Sequence, residues 1–542
     1  NLIYQTSLIY CFNDEQSLYY IDKEFNFYAF HIPTQKNEFI ANLGKEIQER
    51  GKISSIVHYH NSYFVGFLMD GILLLEKQKE TNHYQIQSLP INSGVFCLKK
   101  DRFQDVVWIG TDGQGVYLYS NPLYSIKSMV LSNYTEKIER PVRAIYLDDE
   151  RTFWVGTKGN GILKIYDYEF DKNISDCRAE VLTTSNSALS SNAVYCFAKS
   201  HRNLLWIGDE EGLTYYSYRE KRIKSIPIRI GNEDFKYIHD IYETADSELW
   251  LASVGMGVVK ARIAGTPDNP VIVDAQRYII NDGELGSNYF FTIYAENEAN
   301  LLFGNKGYGV FRYNETTNGL EPVSTHKYEN MTLNNILAIS KDSSNNYLFG
   351  TSYGLIKYTS ETSYQLFNAK NGFLNNTIHA ILRNSSDDFW LSTNLGLINF
   401  DTKRNVFRSY GFGDGLKVVE FSDGAAFRDS QTGTLFFGGI NGVVAIRADG
   451  RPEQLYMPPV YFDKLSIFGE QYNLGEFLTR KKETEVLNLQ YDQNFFSVSF
   501  ASVDYLNGNN CTYFYKLKGL SDQWVNNGSE SGVSFTNMAP GE

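Results

Sequence analysis

The chain repeats itself, and the repeat limits what it can fold into. The string WIGTDGQGV begins at Trp108, WVGTKGNGI at Trp154, WIGDEEGL at Trp206 and WLASVGMGV at Trp250. LFGNKGYGV follows at Leu302, LFGTSYGL at Leu348, WLSTNLGL at Trp390 and FFGGINGV at Phe436. Weaker copies are FVGFLMDGI at Phe64 and YCFNDEQSL at Tyr10. In general a copy is an aromatic residue or Leu, a hydrophobe, a small residue, then Gly or Ser shortly after and a further apolar run. That pattern reads as strand, tight turn, strand. The third motif positions fall at 12, 66, 110, 156, 208, 252, 304, 350, 392 and 438, a period of about 47 residues. Such copies, each the size of four strands and almost free of helical periodicity, predict the blades of a β-propeller. A β-solenoid is the other repeat architecture that a fixed period allows.

Seven copies share a finer rule. The last core residue of the preceding apolar strand is Ile145, Phe197, Ile241, Ile293, Ile339, Ile381 or Phe427, and the third motif position follows eleven residues later each time. The span between holds turn formers such as Asp148-Asp149-Glu150 and Ser385-Ser386-Asp387-Asp388. In the earlier copies the count slips, to ten from Ile56 and twelve from Leu98. Seven uniform copies predict one closed seven-bladed propeller over residues 126–457. Three looser ones, residues 1–125, predict the last three blades of a partial second propeller, because three blades are too few to close. A single ten-bladed ring is the alternative.

After Pro458-Pro459 the period stops. Tyr491 to Phe500 (YDQNFFSVSF) and Tyr513 to Leu517 alternate as half-buried strands on either side of an Asn507-Gly508-Asn509-Asn510 turn, and Val533-Ser534-Phe535 begins another. Short alternating strands at this spacing predict an immunoglobulin-like β-sandwich over 458–542, C-terminally truncated. The expected class is therefore all-β, and composition agrees: 39 Tyr and 36 Phe against 12 Pro favour strands over helices.

Charge and cysteine content exclude several functions. Lys+Arg 50 against Asp+Glu 63 leaves a net charge of −13 with no basic run, which argues against tracking a phosphate backbone. Five scattered cysteines without a CxxC spacing rule out a disulfide framework and a cysteine zinc site. Eight histidines show no metal-ligand spacing, so no metal or cofactor is expected. The nearest thing to a membrane span, Tyr63 to Leu75, is broken by Asp70 and is too short. The chain opens at Asn1 without a signal peptide and stops after Pro540-Gly541, so both ends read as cut.

These residues carry a resemblance. Pro141-Val142-Arg143-Ala144-Ile145 leading to WVGTKGNGI, Leu189-Ser190-Ser191-Asn192, and FFGGINGVVAI before the double proline are similar to the two-component regulator propeller repeat. The segment YDQNFFSVSFASVDY, YFYKLKGLSDQWV and FTNMAPGE resembles the three-tyrosine (Y_Y_Y) domain. Their order resembles the periplasmic sensor region of a hybrid two-component system. The resemblance implies two seven-bladed propellers and a sandwich, followed by a membrane helix, a histidine kinase, a receiver and a DNA-binding domain. It further implies an oligosaccharide ligand, control of glycan-utilisation genes, a homodimer through the C-terminal sandwich, and a periplasmic place in an inner-membrane protein. This region would itself be no enzyme and bind no nucleic acid. The sequence departs from the pattern in holding three blades of the first propeller.

No catalytic signature is present: there is no HExxH, GxSxG or P-loop. Gly411-Phe412-Gly413-Asp414-Gly415 lacks the Lys-Ser/Thr and helix of a phosphate loop and reads as a turn. Ser385-Ser386-Asp387-Asp388-Phe389-Trp390 faintly matches the Asp-box of propeller glycosidases, but hairpin geometry asks for Asp there anyway.

Aligning the seven uniform copies on the innermost strand gives a column that should ring one mouth of the channel: Arg143, Tyr195, His239, Phe291, Leu337, His379 and Ala425. Three positions earlier stand Arg140, Asn192, Lys236, Asn288, Asn334, Asn376 and Ser422. Hydrogen-bonding groups beside aromatic faces suit a sugar, whose hydroxyls need partners and whose C–H faces stack. The candidate ligand-binding residues are Arg143, Arg140, Tyr195, Asn192, His239, Lys236, Asn288, Asn376 and His379. An asparagine before a strand also makes an Asx-type turn, a purely structural role. Arg143 suits a carboxylate or sulfate, whereas the net charge of −13 argues mildly against long-range steering of an anion; an acidic and a neutral glycan both stay open. A secreted propeller glycosidase or polysaccharide lyase would need paired carboxylates, and these columns contain no Asp or Glu. A protein-binding scaffold is the third reading.

Overall fold

The computed structural model describes residues 8–13, 16–78, 83–120, 124–133, 138–172, 174–280, 288–323, 334–360, 362–373, 375–414, 416–448, 458–481, 484–505, 511, 513–519, 523–528 and 530–539. The longest helix among them, Gly44–Arg50, has seven residues. Everything else of consequence is antiparallel strand, gathered in two compact units.

One unit comprises Asn1–Leu123, Pro452–Pro459 and Ser502–Gly508. Its described residues form two four-stranded sheets, spanning Leu8–Asn42 and Ile53–Ser88, and a three-stranded sheet of Val95–Lys100, Val106–Thr111 and Val116–Ser120. The repeat explains how sheets meet. A Cβ on Gly66, the third motif position, would fall 2.8 Å from Val95 Cγ1, so only glycine lets the third sheet seat on the second. Trp108 is half-buried, packed edge-on against Tyr505 at 4.7 Å. Gln104 holds that segment, donating to the Val503 carbonyl (3.1 Å) and accepting from the Tyr505 N–H (2.8 Å).

In the other unit, the described residues make seven four-stranded sheets whose innermost strands are Val142–Leu147, Val194–Lys199, Ile238–Glu243, Phe290–Asn297, Ile336–Lys341, Ala380–Arg383 and Phe421–Arg428. Each innermost strand lies beside the next, and the seventh lies beside the first. The seventh sheet takes its outermost strand, Tyr124–Val130, from the chain just before the first sheet, paired with Gly442–Ala448. The cycle is thus hydrogen-bonded shut by a segment of distant sequence.

Glycine at the third motif position is again the packing rule. A Cβ on Gly156, Gly208, Gly304, Gly350 or Gly438 would come within 2.6–2.9 Å of Val194, Ile238, Ile336, Ile378 or Val142, each the leading apolar residue of the following sheet. The last pair, Gly438 and Val142, joins seventh sheet to first. Trp154, Trp206, Trp250 and Trp390 are each at most 2% exposed. They fill the seams: Trp154 meets Tyr216 at 4.8 Å, and Trp206 donates its indole N–H to Glu243 at 2.7 Å across the boundary between sheets. Burying each indole contributes about 3 kcal/mol. Arg151–Asp429 (2.8 Å) and a two-pronged Arg447–Asp171 pair add charged links across the closure.

Beyond Pro459 a four-stranded sheet runs in the order Glu470–Tyr472, Val460–Ile467, Phe496–Ser502, Gly532–Phe535, accompanied by hairpins Leu478–Lys481/Thr484–Leu487 and Tyr513–Tyr515/Val525–Gly528. Its core is small, built on Leu465, Ile467 and Val498. The expected Asn507–Asn510 turn and the Pro540-Gly541 end lie outside the described residues.

Candidate functional site

A backbone irregularity repeated from sheet to sheet builds the site. In the first innermost strand Val142 pairs with Thr157 and Ala144 with Gly156, so Arg143 is skipped. The same slip omits Tyr195, His239, Phe291 and Leu337 in the next four. A bulge of this kind bends the strand and re-aims the extra side chain. It is the physical reason that one residue per strand leaves the sheet for the common mouth. His379 takes the corresponding place just ahead of the sixth strand, its N–H bonded to the Ser392 carbonyl at 2.8 Å.

The seventh strand breaks the alignment. Phe421 pairs with Gly439 and the next pair is Ala426 with Phe437, so four residues are looped out. Asp423, rather than Ala425, therefore reaches the mouth, and Ala425 is buried at 1% exposed. This corrects the expectation that the mouth holds no acidic residue: spacing in the sequence does not show how many residues a bulge takes up.

Side chains from six sheets then form one continuous chain of contacts. His379 Nδ1 lies 2.5 Å from Asp423 Oδ1, and Nε2 lies 2.7 Å from Asn394 Oδ1. Asp423 Oδ2 is 3.5 Å from Arg143 Nη1. The Arg143 guanidinium sits 6.0 Å from the centre of the Tyr195 ring. Tyr195 stacks on His239, and His239 meets Phe291 edge-on at 5.6 Å. Phe291 and Asp423 both line a cavity of about 170 Å³ together with Lys306, Asn335, Leu337 and Thr377.

Burial and neighbouring charge set the protonation states. Burial, reinforced by Arg143, pushes the His239 imidazole down to about 3, so it is neutral at ordinary pH. Burial works to raise the Asp423 carboxyl, but the His379 hydrogen bond and the charges of His379 and Arg143 outweigh it and hold the group below the usual carboxylate range. Burial raises the Tyr195 phenol, which stays protonated and available as a donor.

The remaining expected residues do other work. Asn192 accepts from Thr184 N–H (2.9 Å), Asn288 from Ile280 N–H (2.7 Å) and Asn376 from Ala369 N–H (2.8 Å), each pinning the loop that enters its sheet. Their role here is structural but not an Asx turn, since each bond spans seven or eight residues back along the chain. Lys236 pairs with Glu211 at 2.5 Å. Arg140 is exposed and gives its backbone N–H to Asn160. Of the nine expected residues, the structure joins Arg143, Tyr195, His239 and His379, and it adds Asp423, Asn394 and Phe291 to them.

The cluster offers stacked rings, a buried guanidinium and a neutral imidazole. Its one carboxylate among the described residues is already engaged by Arg143 and His379. The two opposed free carboxylates of glycoside hydrolysis are a different arrangement. The two sequence motifs that hinted at catalysis are structural. Gly411 N–H bonds to Asp414 in a 3₁₀ turn, and Asp388 accepts from Asn384 and, across the seam between the sixth and seventh sheets, from Tyr124. Among the described residues no cluster of three or more His, Cys, Asp or Glu is placed to hold a metal.

Comparison with known proteins agrees with this architecture. Residues 504–542 match the family model described as the Y_Y_Y domain. Across 98% of its length the chain superposes on 74% of the extracellular domain of a protein from B. thetaiotaomicron assigned as a hybrid two-component system, at 23% identity and a TM-score of 0.57. The chain carries the fold of a hybrid two-component system's extracellular domain. A second such domain from the same organism covers 99% of the chain, with 72% of its own length matched, at 18% identity and a TM-score of 0.50. Histidine kinase P4 of Formosa agariphila is 24% identical over 403 residues, 71% of this chain. The chain spans 28% of the length of that relative. Among the described residues no helix is long and apolar enough to cross a membrane.

Proposed function

We propose that this chain is the extracytoplasmic ligand-sensing region of a hybrid two-component histidine kinase and response regulator, and that it binds an oligosaccharide without turning it over. The observation that carries the reading is the mouth cluster. Tyr195 and His239, stacked on each other, form an apolar wall beside the buried Arg143 guanidinium, the pairing of apolar surface and fixed donor that a pyranose needs. The similarity to extracellular domains of two-component proteins supports the sensor part.

In this reading the chain continues into a membrane helix and a kinase, stands in the periplasm, and regulates genes for using the glycan it detects. Signalling then requires a second copy. Val460 and Phe462, on one face of the C-terminal sheet, are 60% and 67% exposed, an apolar patch suited to a two-fold contact.

The test is to incubate the chain with a library of plant, algal and host oligosaccharides, following heat of binding and product formation together. Saturable binding with the sugar recovered intact is expected. Cleavage of the bound sugar, or no binding by any member, would overturn the reading.

A further inference from the structure

The bonding of Arg143 says more about the ligand. Its side chain is only 15% exposed, yet the single polar contact it makes with the described residues is Nη1 to Asp423 at 3.5 Å, too long for a strong hydrogen bond. Its Nε is buried and has no acceptor. A guanidinium carries five N–H donors in a planar fork, and leaving most of them unmet inside a protein is costly. Asp423 cannot close that account, because its other oxygen is held by His379. Asp423 orients the fork, and its Nη end, unlike the buried Nε, is open to an acceptor from outside the chain.

Two lysines share the rim. Lys158 and Lys306 occupy equivalent places in the first and fourth sheets. Each gives its backbone N–H to the carbonyl at its own sheet's entry, Pro141 and Tyr289, at 2.9 Å. Each also bridges to the entry of the following sheet, at Ala193 and Asn335. Neither has a carboxylate within ion-pair distance among the described residues, and Lys306 lines the cavity it shares with Asp423. Glu210 holds the matching place in the second sheet, where it accepts from Ser191. The rim thus brings Arg143, Lys158 and Lys306 together with Asp423 and Glu210, while Asp209 lies buried behind Tyr195.

We propose that the ligand of this mouth is an acidic saccharide, whose carboxylate or sulfate is gripped by the open fork of Arg143 while the sugar ring lies against Tyr195. This rests on the reading of the mouth as an oligosaccharide site and names the chemistry it selects. A planar carboxylate, or two oxygens of a sulfate ester, fits the fork in a two-pronged geometry that a single hydroxyl does not offer. The neutral state of His239 leaves it as a hydrogen-bonding wall that adds no charge of its own.

The experiment is calorimetric titration of the whole chain with three probe sets: oligogalacturonates, sulfated galactan oligosaccharides, and neutral malto-, xylo- and manno-oligosaccharides. Binding by one of the acidic sets is expected, and which one responds separates carboxylate from sulfate recognition. Affinity should fall as salt rises, and Arg143→Gln should lose roughly 10- to 100-fold, equivalent to a charge-assisted hydrogen bond or two. Arg143→Lys, which keeps the charge and discards the fork, should lose most of that factor too. Melting temperatures of both variants close to the parent's would show that they fold. Binding confined to the neutral set would overturn this inference and leave the sensor reading standing. Acidic binding unchanged in both variants would remove Arg143 from recognition. No binding by any set would count against the sensor reading itself.

Discussion

Tyr195 and His239 lie 4.3 Å apart between ring centres and 17° from parallel, although they belong to different four-stranded sheets. The contact exists because both are the extra residue of a bulge at the start of an innermost strand. Two adjacent strands re-aim their extra residues the same way, so the rings meet face to face. The stack covers one side of an imidazole that is otherwise hemmed in by Phe291 and whose protonated form Arg143 disfavours.

The first consequence is measurable on His239 itself. Its imidazole should remain neutral through pH 5–8, with Nε2 and Nδ1 shifts in ¹⁵N spectra flat over that range. Tyr195→Ala opens one face to water, so the group's titration should move up from about 3 toward the ordinary value near 6.5. A parent chain in which His239 titrates near 6.5 would show that the mouth is wetter and less charged than described.

Stability against acid follows with a definite sign. His239 is depressed in the folded chain, so its contribution is complete above the unfolded value of about 6.5 and is lost as pH falls toward about 3. Between pH 6.5 and 5 that loss is about 2 kcal/mol. Asp209 and Asp240 act oppositely: burial pushes each up to about 6, so their contribution is complete below about 4 and lost as pH rises through 6. The parent's unfolding midpoint should therefore change little between pH 6.5 and 5. His239→Gln removes the opposing member, and its midpoint should rise as the solution is acidified. Parallel midpoint curves for parent and variant would refute the assignment.

Ring closure can be tested at one atom pair. Gly438→Ala places a methyl 2.6 Å from Val142 Cγ1, at the seam between the seventh and first sheets. Overpacking of this kind costs about 1–3 kcal/mol, and Val142→Ala in the same chain should restore part of the lost thermal stability by making room. Additive losses in the double variant would mean that the two residues do not meet.

These relationships were unequally visible in the amino-acid sequence. The period of the motif exposes the sheets because a small residue at its third position, glycine at five of the seven seams, answers a steric demand, as Gly156 against Val194 and Gly438 against Val142 show. The constant eleven-residue count exposes the mouth column for the same reason: it fixes where each innermost strand begins. What spacing cannot reveal is a change in bulge size. The four-residue loop in the seventh strand substitutes Asp423 for Ala425, and with it comes the anchor of both Arg143 and His379. The asparagine column was visible too, but composition alone does not separate a loop-pinning amide from a ligand-binding one. Only the bonds of Asn192, Asn288 and Asn376 to backbone N–H groups do so. Trp108 bears the motif of the buried indoles yet is half-buried, because its cover is Tyr505, some four hundred residues away in the chain.

The most direct test is a crystal structure of the chain soaked with an oligosaccharide that calorimetry shows to bind. Density for the sugar is expected at the mouth of the seven-sheet ring, with an acidic oxygen within hydrogen-bond distance of Arg143 and a ring face against Tyr195. A fully occupied sugar elsewhere on the chain, with Arg143 still facing Asp423 in an empty mouth, would contradict it.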